Sequence, residues 1–184
     1  QAEQRRPRRH ADHFAMTLVH HPFPPVYDAR SSLLILGSFP SVVSRETMFY
    51  YGNRNNRFWP LMARLFQRDL PEAIAEKREF LLDHGIALWD VVASCRVSGS
   101  SDSSIQSPAI NPIGSLVAKT VVQAVFLNGQ KAASLYMQHA AEIVGLPAFT
   151  LPSTSPANAA WGMERLATAW AAILPYVQHQ PPIE

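Results

Sequence analysis

Cysteine is almost missing from this sequence: Cys95 is the only one among 184 residues. A single thiol excludes an internal disulfide framework, a four-cysteine iron–sulfur cluster and a four-cysteine zinc site, and it predicts a reducing, cytoplasmic setting. No His-x-x-x-His or Cys-x-x-Cys pair occurs, and His20-His21 are adjacent in a proline-rich stretch, so neither a metal nor any other cofactor is expected. Long apolar runs are absent too; none reaches the roughly 18 to 20 residues that cross a bilayer, so no membrane association is expected. Phe14 to Val19 is too short for the apolar part of an export signal, and His20-His21-Pro22 ends it. Neither a Walker loop nor a Gly-x-Gly-x-x-Gly fingerprint is present, which removes the usual markers of nucleotide hydrolysis and dinucleotide binding. Charged residues make up only 16% against 47% apolar, a globular composition. The formal net charge is +2, yet Gln1 to His10 holds four arginines against Glu3, which leaves −1 for the remainder. The basic character is thus that of an arm, with residues 1–19 expected to be a flexible N-terminal extension and 20–184 a single domain.

What is present begins with Leu33-Leu34-Ile35-Leu36-Gly37-Ser38-Phe39-Pro40-Ser41, an aliphatic run that stops in a tight turn. It reads as a buried strand. Behind it lies Tyr50-Tyr51-Gly52-Asn53-Arg54-Asn55-Asn56-Arg57-Phe58-Trp59, dense in aromatic, amide and guanidinium groups, before a helix from about Arg57 to Gln67 capped by Asn55 or Asn56. A second helix is expected from Asp69 or Pro71 to a stop at Gly85, then a second strand over Ile86 to Val92 with the carboxylate of Asp90 near its end. Ser98 to Ser104 reads as a loop and Pro108 to Lys119 as one short helix. The third strand spans Val121 to Leu127, a helix runs from Gln130 to Val144, a fourth strand covers Ala148 to Leu151, and a last helix spans about Asn158 to Val177. Strands alternating with helices predict an α/β fold of three layers, a four-stranded, mainly parallel sheet with helices on both faces. His21 to Tyr27, extended by its prolines, is expected to pack as a strap.

The strand-to-helix loops of such a sheet gather at one edge, where ligands bind. A pocket rimmed by Phe39, Tyr51, Asn56, Asp90 and Asn128 could hold a flat heterocycle and read its edge. Ser153 and Ser155 precede the expected last helix, whose N-terminus would favour a phosphate. Base pocket and phosphate site together suggest a nucleic acid.

Four segments carry a resemblance: Gly37-Ser38-Phe39-Pro40-Ser41; Tyr50-Tyr51-Gly52-Asn53 with Asn56-x-Phe58-Trp59; Leu88-Trp89-Asp90-Val91; and Leu151-Pro152-Ser153-Thr154-Ser155-Pro156-Ala157. They resemble the hypoxanthine-DNA (deoxyinosine) glycosylase branch of the uracil-DNA glycosylase superfamily, in the same order, over roughly Pro22 to Leu174. The resemblance implies a monofunctional DNA repair enzyme that hydrolyses the N-glycosidic bond of a deaminated base, with damaged DNA as partner and a monomer expected. It implies Asn56 and Asp90 as catalytic residues. Gly37, Ser38, Phe39, Tyr51 and Asp90 would contact the base, and Ser41, Ser153, Thr154, Ser155, Pro156 and Ala157 the DNA. Phe39 stands where uracil-specific relatives carry the water-activating Asp or Asn, and Leu151 where they carry a His or Asn that stabilises the leaving base. Gly99-Ser100-Ser101-Asp102 stands where the branch has Gly-Ser-Leu-Asp. A uracil or thymine mismatch glycosylase and a catalytically silent DNA-binding module of the same fold are the alternatives. Without the resemblance, Asn56 reads as a helix cap and Asp90 as a strand-end loop cap.

Overall fold

The computed structural model describes residues 16–98 and 105–177. The arginine-rich residues 1–15 and the Gly99–Ser104 part of the expected loop, including the Gly99-Ser100-Ser101-Asp102 match, lie outside the described residues. In chain order the elements are β1 (Thr17–His20), β2 (Leu33–Gly37), α1 (Val42–Thr47), α2 (Phe58–Phe66), α3 (Ile74–Asp83), β3 (Ile86–Asp90), β4 (Val92–Val97), β5 (Gln106–Ile110), α4 (Ile113–Val117), β6 (Ala124–Asn128), α5 (Gln130–His139), α6 (Ala141–Val144), β7 (Ala148–Leu151) and α7 (Met163–Trp170), continued by a 3-10 turn over Ala171–Tyr176.

Four strands form an all-parallel sheet in the order β3-β2-β6-β7. Every residue of β2 is buried, because side chains of a central parallel strand alternate between two covered faces. Leu33 and Ile35 join Phe58, Trp59, Leu61, Phe80, Leu81, Leu166 and Trp170 on the side of α2, α3 and α7. Leu34 and Leu36 face Ile113, Leu116, Leu135 and Tyr136 on the side of α4 and α5. The three-layer arrangement expected from the alternation of elements is therefore the one observed.

A second sheet was not anticipated. β1, β4 and β5 pair antiparallel in the order β1-β4-β5. Thr17 to His20, assigned to the edge of the flexible arm, pair with Val97 to Ser94. Gln106–Ile110 is a strand where the helix over Pro108 to Lys119 was expected, and that helix shrinks to Ile113–Val117. The apolar run Ile86 to Val92 is divided: Val91 N–H donates to Gly37 O at 2.8 Å and Val92 N–H to Ser38 O at 3.1 Å, after which the chain leaves the parallel sheet as β4. The strap holds as expected. Val26 and Leu88 exchange two backbone hydrogen bonds of 2.9 Å, which covers the outer edge of β3.

Other boundaries shift for local reasons. α3 starts at Ile74, because Ala73 before it is still extended (φ −72°, ψ 150°). The helix over Gln130 to Val144 breaks at Ala140 (φ −130°) and ends at Gly145 in the left-handed region (φ 68°). α7 begins at Met163 and not at Asn158. The Trp161 carbonyl accepts from the Arg57 guanidinium, and the Asn158 carbonyl is shared between that guanidinium and Trp161 N–H at 3.2 Å, a turn bond in place of a helical one.

Candidate active site

The C-terminal ends of β2, β3, β6 and β7 surround one cavity of about 440 Å³, inside the usual size range for small-molecule pockets. Its floor is set by register. Gly37 of β2 lies opposite Asp90 of β3, so the Asp90 carboxylate folds over the glycine. A Cβ placed on Gly37 would stand 2.4 Å from Asp90 Oδ1 and 3.1 Å from the Tyr51 hydroxyl. Gly37 is thus required for close approach, not for a left-handed φ; it is absent from the positive-φ residues.

Asp90 is 4% exposed. Its Oδ2 lies 2.8 Å from His21 Nε2, while His21 Nδ1 lies 2.8 Å from Phe23 O. Behind it, Asn111 at the end of β5 donates from Nδ2 to Asp90 O at 2.9 Å. β1 delivers the imidazole, because its ladder with β4 runs on to His21 N–H, which donates to Ala93 O at 2.8 Å. The second sheet therefore supports Asp90 from behind the cavity. The sequence places His21 at the start of the strap and gives it no role toward Asp90. The signal for His21 lies in topology: its partner is 69 residues away.

Tyr50 and Tyr51 differ in burial. Tyr50 is buried, donates its hydroxyl to Pro24 O at 3.1 Å, and its phenol is pushed well up by burial first and then by the Asp90 carboxylate. Tyr51 lines the cavity half-buried, one ring face stacked on Phe58 at 4.3 Å. Its φ of 54° is unusual for an aromatic residue, a conformation that costs about 1–3 kcal/mol. Phe39 supplies a second aromatic wall, with the Arg45 guanidinium 5.6 Å from its ring centroid.

Asn56 also lines the cavity, and its Oδ1 accepts from Phe58 N–H at 3.0 Å. The N-cap residue of α2 is Arg57, which makes no side-chain cap bond, so Asn56 holds the first helical N–H from one position ahead of the cap. Asn128 lines the cavity as expected, with its amide engaged by neighbours: Nδ2 donates to Tyr51 Oη (3.1 Å) and Thr154 Oγ1 (3.0 Å), and Oδ1 accepts from Thr154 N–H (3.1 Å). It ties the aromatic wall to the opposite loop.

That loop, Pro152 to Trp161, does not lead straight into a helix. Ser153 Oγ accepts from Ser155 N–H and Ser155 Oγ from Ala157 N–H, so both serines stabilise turns, and the phosphate site expected at a helix N-terminus is not formed. Ser153, Ser155, Pro156 and Ala157 line the cavity; Pro156 and Ala157 are exposed at its rim. Thr154 is sealed inside as an anchor. Ser41, across the mouth, caps α1 through Ser44 N–H, and Ser38 is buried beside Phe39. Holding the loop is Arg57, whose guanidinium donates to Thr154 O, Ser155 O, Asn158 O and Trp161 O. In the motif Asn56-x-Phe58-Trp59 this arginine stood at the position treated as variable.

Among the described residues no three His, Cys, Asp or Glu side chains gather as a metal site, and no helix is long and apolar enough to cross a membrane. The cavity thus offers one buried carboxylate, two aromatic walls, the amides of Asn53, Asn56 and Asn128 and a loop rim: a slot for a planar, polar-edged ring.

Comparison with known proteins agrees with this geometry. The sequence model of the uracil DNA glycosylase superfamily matches residues 24–174. A Methanosarcina acetivorans protein named hypoxanthine DNA glycosylase is 34% identical over 153 residues, covering 82% of this chain and 95% of the relative. A Methanosarcina barkeri protein of the same name is 36% identical over 112 residues, covering 60% of this chain and 71% of the relative. The solution NMR structure of a candidate uracil DNA glycosylase from Methanosarcina acetivorans superimposes with a TM-score of 0.73 at 32% identity, over 85% of this chain and 96% of that one. Matched along most of its length in sequence and in fold, the chain belongs to the uracil DNA glycosylase superfamily.

Proposed function

We propose that this protein is a monofunctional DNA glycosylase that removes hypoxanthine from deoxyinosine by hydrolysing the N-glycosidic bond. The observation that carries the reading is the Asp90 carboxylate, buried at the floor of an aromatic-walled cavity, in a chain similar to two proteins named hypoxanthine DNA glycosylase. A base inside a duplex cannot reach such a floor, so the nucleotide must be extruded into the cavity. Hypoxanthine presents N1–H as a donor and O6 as an acceptor. Asp90 Oδ1, the oxygen that faces Gly37 and Tyr51, accepts the N1–H. Adenine has a lone pair at N1, which would be set against the carboxylate and leave a buried group unpaired.

Cleavage develops positive charge on the sugar and negative charge on the base. Among the residues lining the cavity the titratable side chains are Asp90, Tyr50 and Tyr51, and no lysine is present to form a Schiff base, which supports hydrolysis without strand cleavage. Phe39 occupies the place of a water-activating carboxylate, so the rate rests on extrusion, positioning and fixed dipoles. Asn56, its oxygen held by Phe58 N–H, orients the water through its remaining amide groups. Pro156 and Ala157 at the rim, with Ser41 across the mouth, meet the DNA flanking the extruded nucleotide.

Protein in excess over a deoxyinosine duplex, in EDTA, should release free hypoxanthine. Parallel duplexes carrying uracil, xanthine or mismatched thymine separate the alternative base choices. Tight binding without base release from any of them would identify a silent binding module and end the enzyme reading. Asp90→Asn keeps the shape while adding a donor, so it should weaken hypoxanthine excision and favour uracil; an unchanged ratio of the two single-turnover rates would remove Asp90 from base reading.

A further inference from the structure

We infer that His21 is a positioning residue for excision, sharing one proton with Asp90 so that the carboxylate can shed its charge as the base departs. This rests on the function proposed above.

The argument starts from what each atom can do. A backbone carbonyl only accepts, so the 2.8 Å contact between His21 Nδ1 and Phe23 O fixes a hydrogen on Nδ1. Nε2 faces Asp90 Oδ2, also at 2.8 Å. If neither carried a proton, a nitrogen lone pair would oppose an ionised oxygen at hydrogen-bond distance. Water cannot relieve that, since the two side chains are 4% and 5% exposed. One proton must therefore lie between Nε2 and Oδ2. It belongs either to an imidazolium facing a carboxylate or to a neutral imidazole facing a carboxylic acid. Both forms are neutral as a pair, which is what burial demands.

The two forms differ at Oδ1, the oxygen presented to the base. While the base is intact, the ion-pair form gives Oδ1 full acceptor strength toward N1–H. When the C1′–N9 bond breaks, its electron pair leaves with the base, and a fixed carboxylate would repel that anion. Moving the shared proton from Nε2 to Oδ2 makes Asp90 neutral at that moment without changing the net charge of the dyad. Water adds to C1′ and loses its proton to solvent, the departing base takes one from solvent, and the dyad proton returns to Nε2. Atoms and charges balance with no further reactant. The device answers a defect of the site, which lacks the His or Asn that stabilises the leaving base in uracil-specific relatives and carries Leu151 there.

His21 is the titratable group that the geometry sets against Oδ2. Tyr50 and Tyr51 are the other titratable groups beside the carboxylate; Tyr50 is held protonated by burial and by Asp90 itself, and its hydroxyl is spent on Pro24 O. Gly37 and Ser38 close the β2 side. Arg45 stands over the far ring of Phe39, and Arg78 of α3 acts on Tyr50 from the other side.

The test uses His21→Gln, which keeps a donor for Oδ2 but cannot pass a proton, and His21→Phe, which leaves Asp90 unpaired. Single-turnover hypoxanthine release is followed from about pH 6 to about pH 10. His21→Gln should be about 10- to 100-fold slower, with a pH profile that differs from the wild type's and DNA affinity kept, in the range for loss of one proton-transfer group; His21→Phe should be slower still. A Gln variant with wild-type rate and pH profile would overturn the proposal. Wild-type protein with ¹⁵N-labelled histidine supplies a readout independent of how the variants fold: Nδ1 of His21 should carry a hydrogen and Nε2 a shared one, and a bare Nδ1 would equally overturn it. Failure of the wild type to release hypoxanthine would count against the proposed function, whereas the NMR result bears on the dyad alone.

Discussion

Replacing Arg57 should unfasten the loop that forms the cavity rim. Among the described residues the guanidinium has no carboxylate partner; it is spent on backbone carbonyls, with Nη2 donating to Ser155 O at 2.9 Å and Asn158 O at 3.0 Å, Nη1 to Trp161 O, and Nε more weakly to Thr154 O at 3.4 Å. Hydrogen bonds to a charged group contribute about 1.5–3 kcal/mol each. Simple addition overstates the sum, because Arg57 is only half-buried and the freed carbonyls regain water. A net loss of about 3 kcal/mol is expected for Arg57→Ala, and about 2 kcal/mol for Arg57→Lys, whose point charge reaches fewer carbonyls. For a chain of this size about 3 kcal/mol lowers Tm by roughly 6–12 °C. A second effect has the opposite sign. With the Asn158 and Trp161 carbonyls released, α7 is free to extend toward Asn158, as the sequence pattern alone suggests, and far-UV circular dichroism should show a small gain in helix. Calorimetry and amide hydrogen exchange across 153–162 measure both effects. An Ala variant within about 2 °C of wild type, with unchanged exchange in that loop, would refute the clamp.

Further outcomes follow from single contacts. Asn56→Ala should lower single-turnover excision by about 10²-fold and also cost about 1 kcal/mol through the lost Phe58 N–H bond. Asn56→Asp retains that cap, so wild-type stability with lost activity in the Asp variant would separate catalysis from capping, and full activity would assign Asn56 to capping alone. Gly37→Ala would drive a methyl to 2.4 Å from Asp90 Oδ1, so the carboxylate must move; excision should fall by more than tenfold, and a fully active Ala variant would show that Oδ1 is not the base contact. Cys95 is fully buried and its thiol is pushed up by burial, so it is protonated at neutral pH and should resist iodoacetamide until the protein unfolds; rapid labelling of native protein would contradict that burial.

Local pattern was enough wherever neighbours in sequence decide the structure. Leu33 to Leu36 is aliphatic throughout because both faces of β2 are covered, and the run is read directly as a strand. Gly85 and Gly145, both at positive φ, stop helices where expected. The candidate residues from all four motif segments do converge on one cavity. What escaped depends on distant partners. Val92–Val97 looks like the tail of the preceding strand, and only its ladder with Thr17–His20 reveals a second sheet. Gln106–Ile110 contains a proline, has Ser107 in the left-handed region (φ 49°) and meets β4 with register shifts, so no alternation marks it. Asn158 looks like a helix start because the competing claim on its carbonyl comes from Arg57, 101 positions away. His21 escaped for the same reason.

The superfamily match begins at residue 24, beyond β1 and His21. A protein trimmed to that boundary would lose more than the imidazole. β4 now lies between β1 and β5. Without β1 its outer N–H and C=O groups from Ser94 to Val97 become an unpaired rim, open to the same rim on another trimmed molecule. Asp90 would meanwhile lose the imidazole that bonds its Oδ2. The shortened chain should self-associate edge to edge, so its loss of activity would be mistaken for poor solubility unless the first 23 residues were restored.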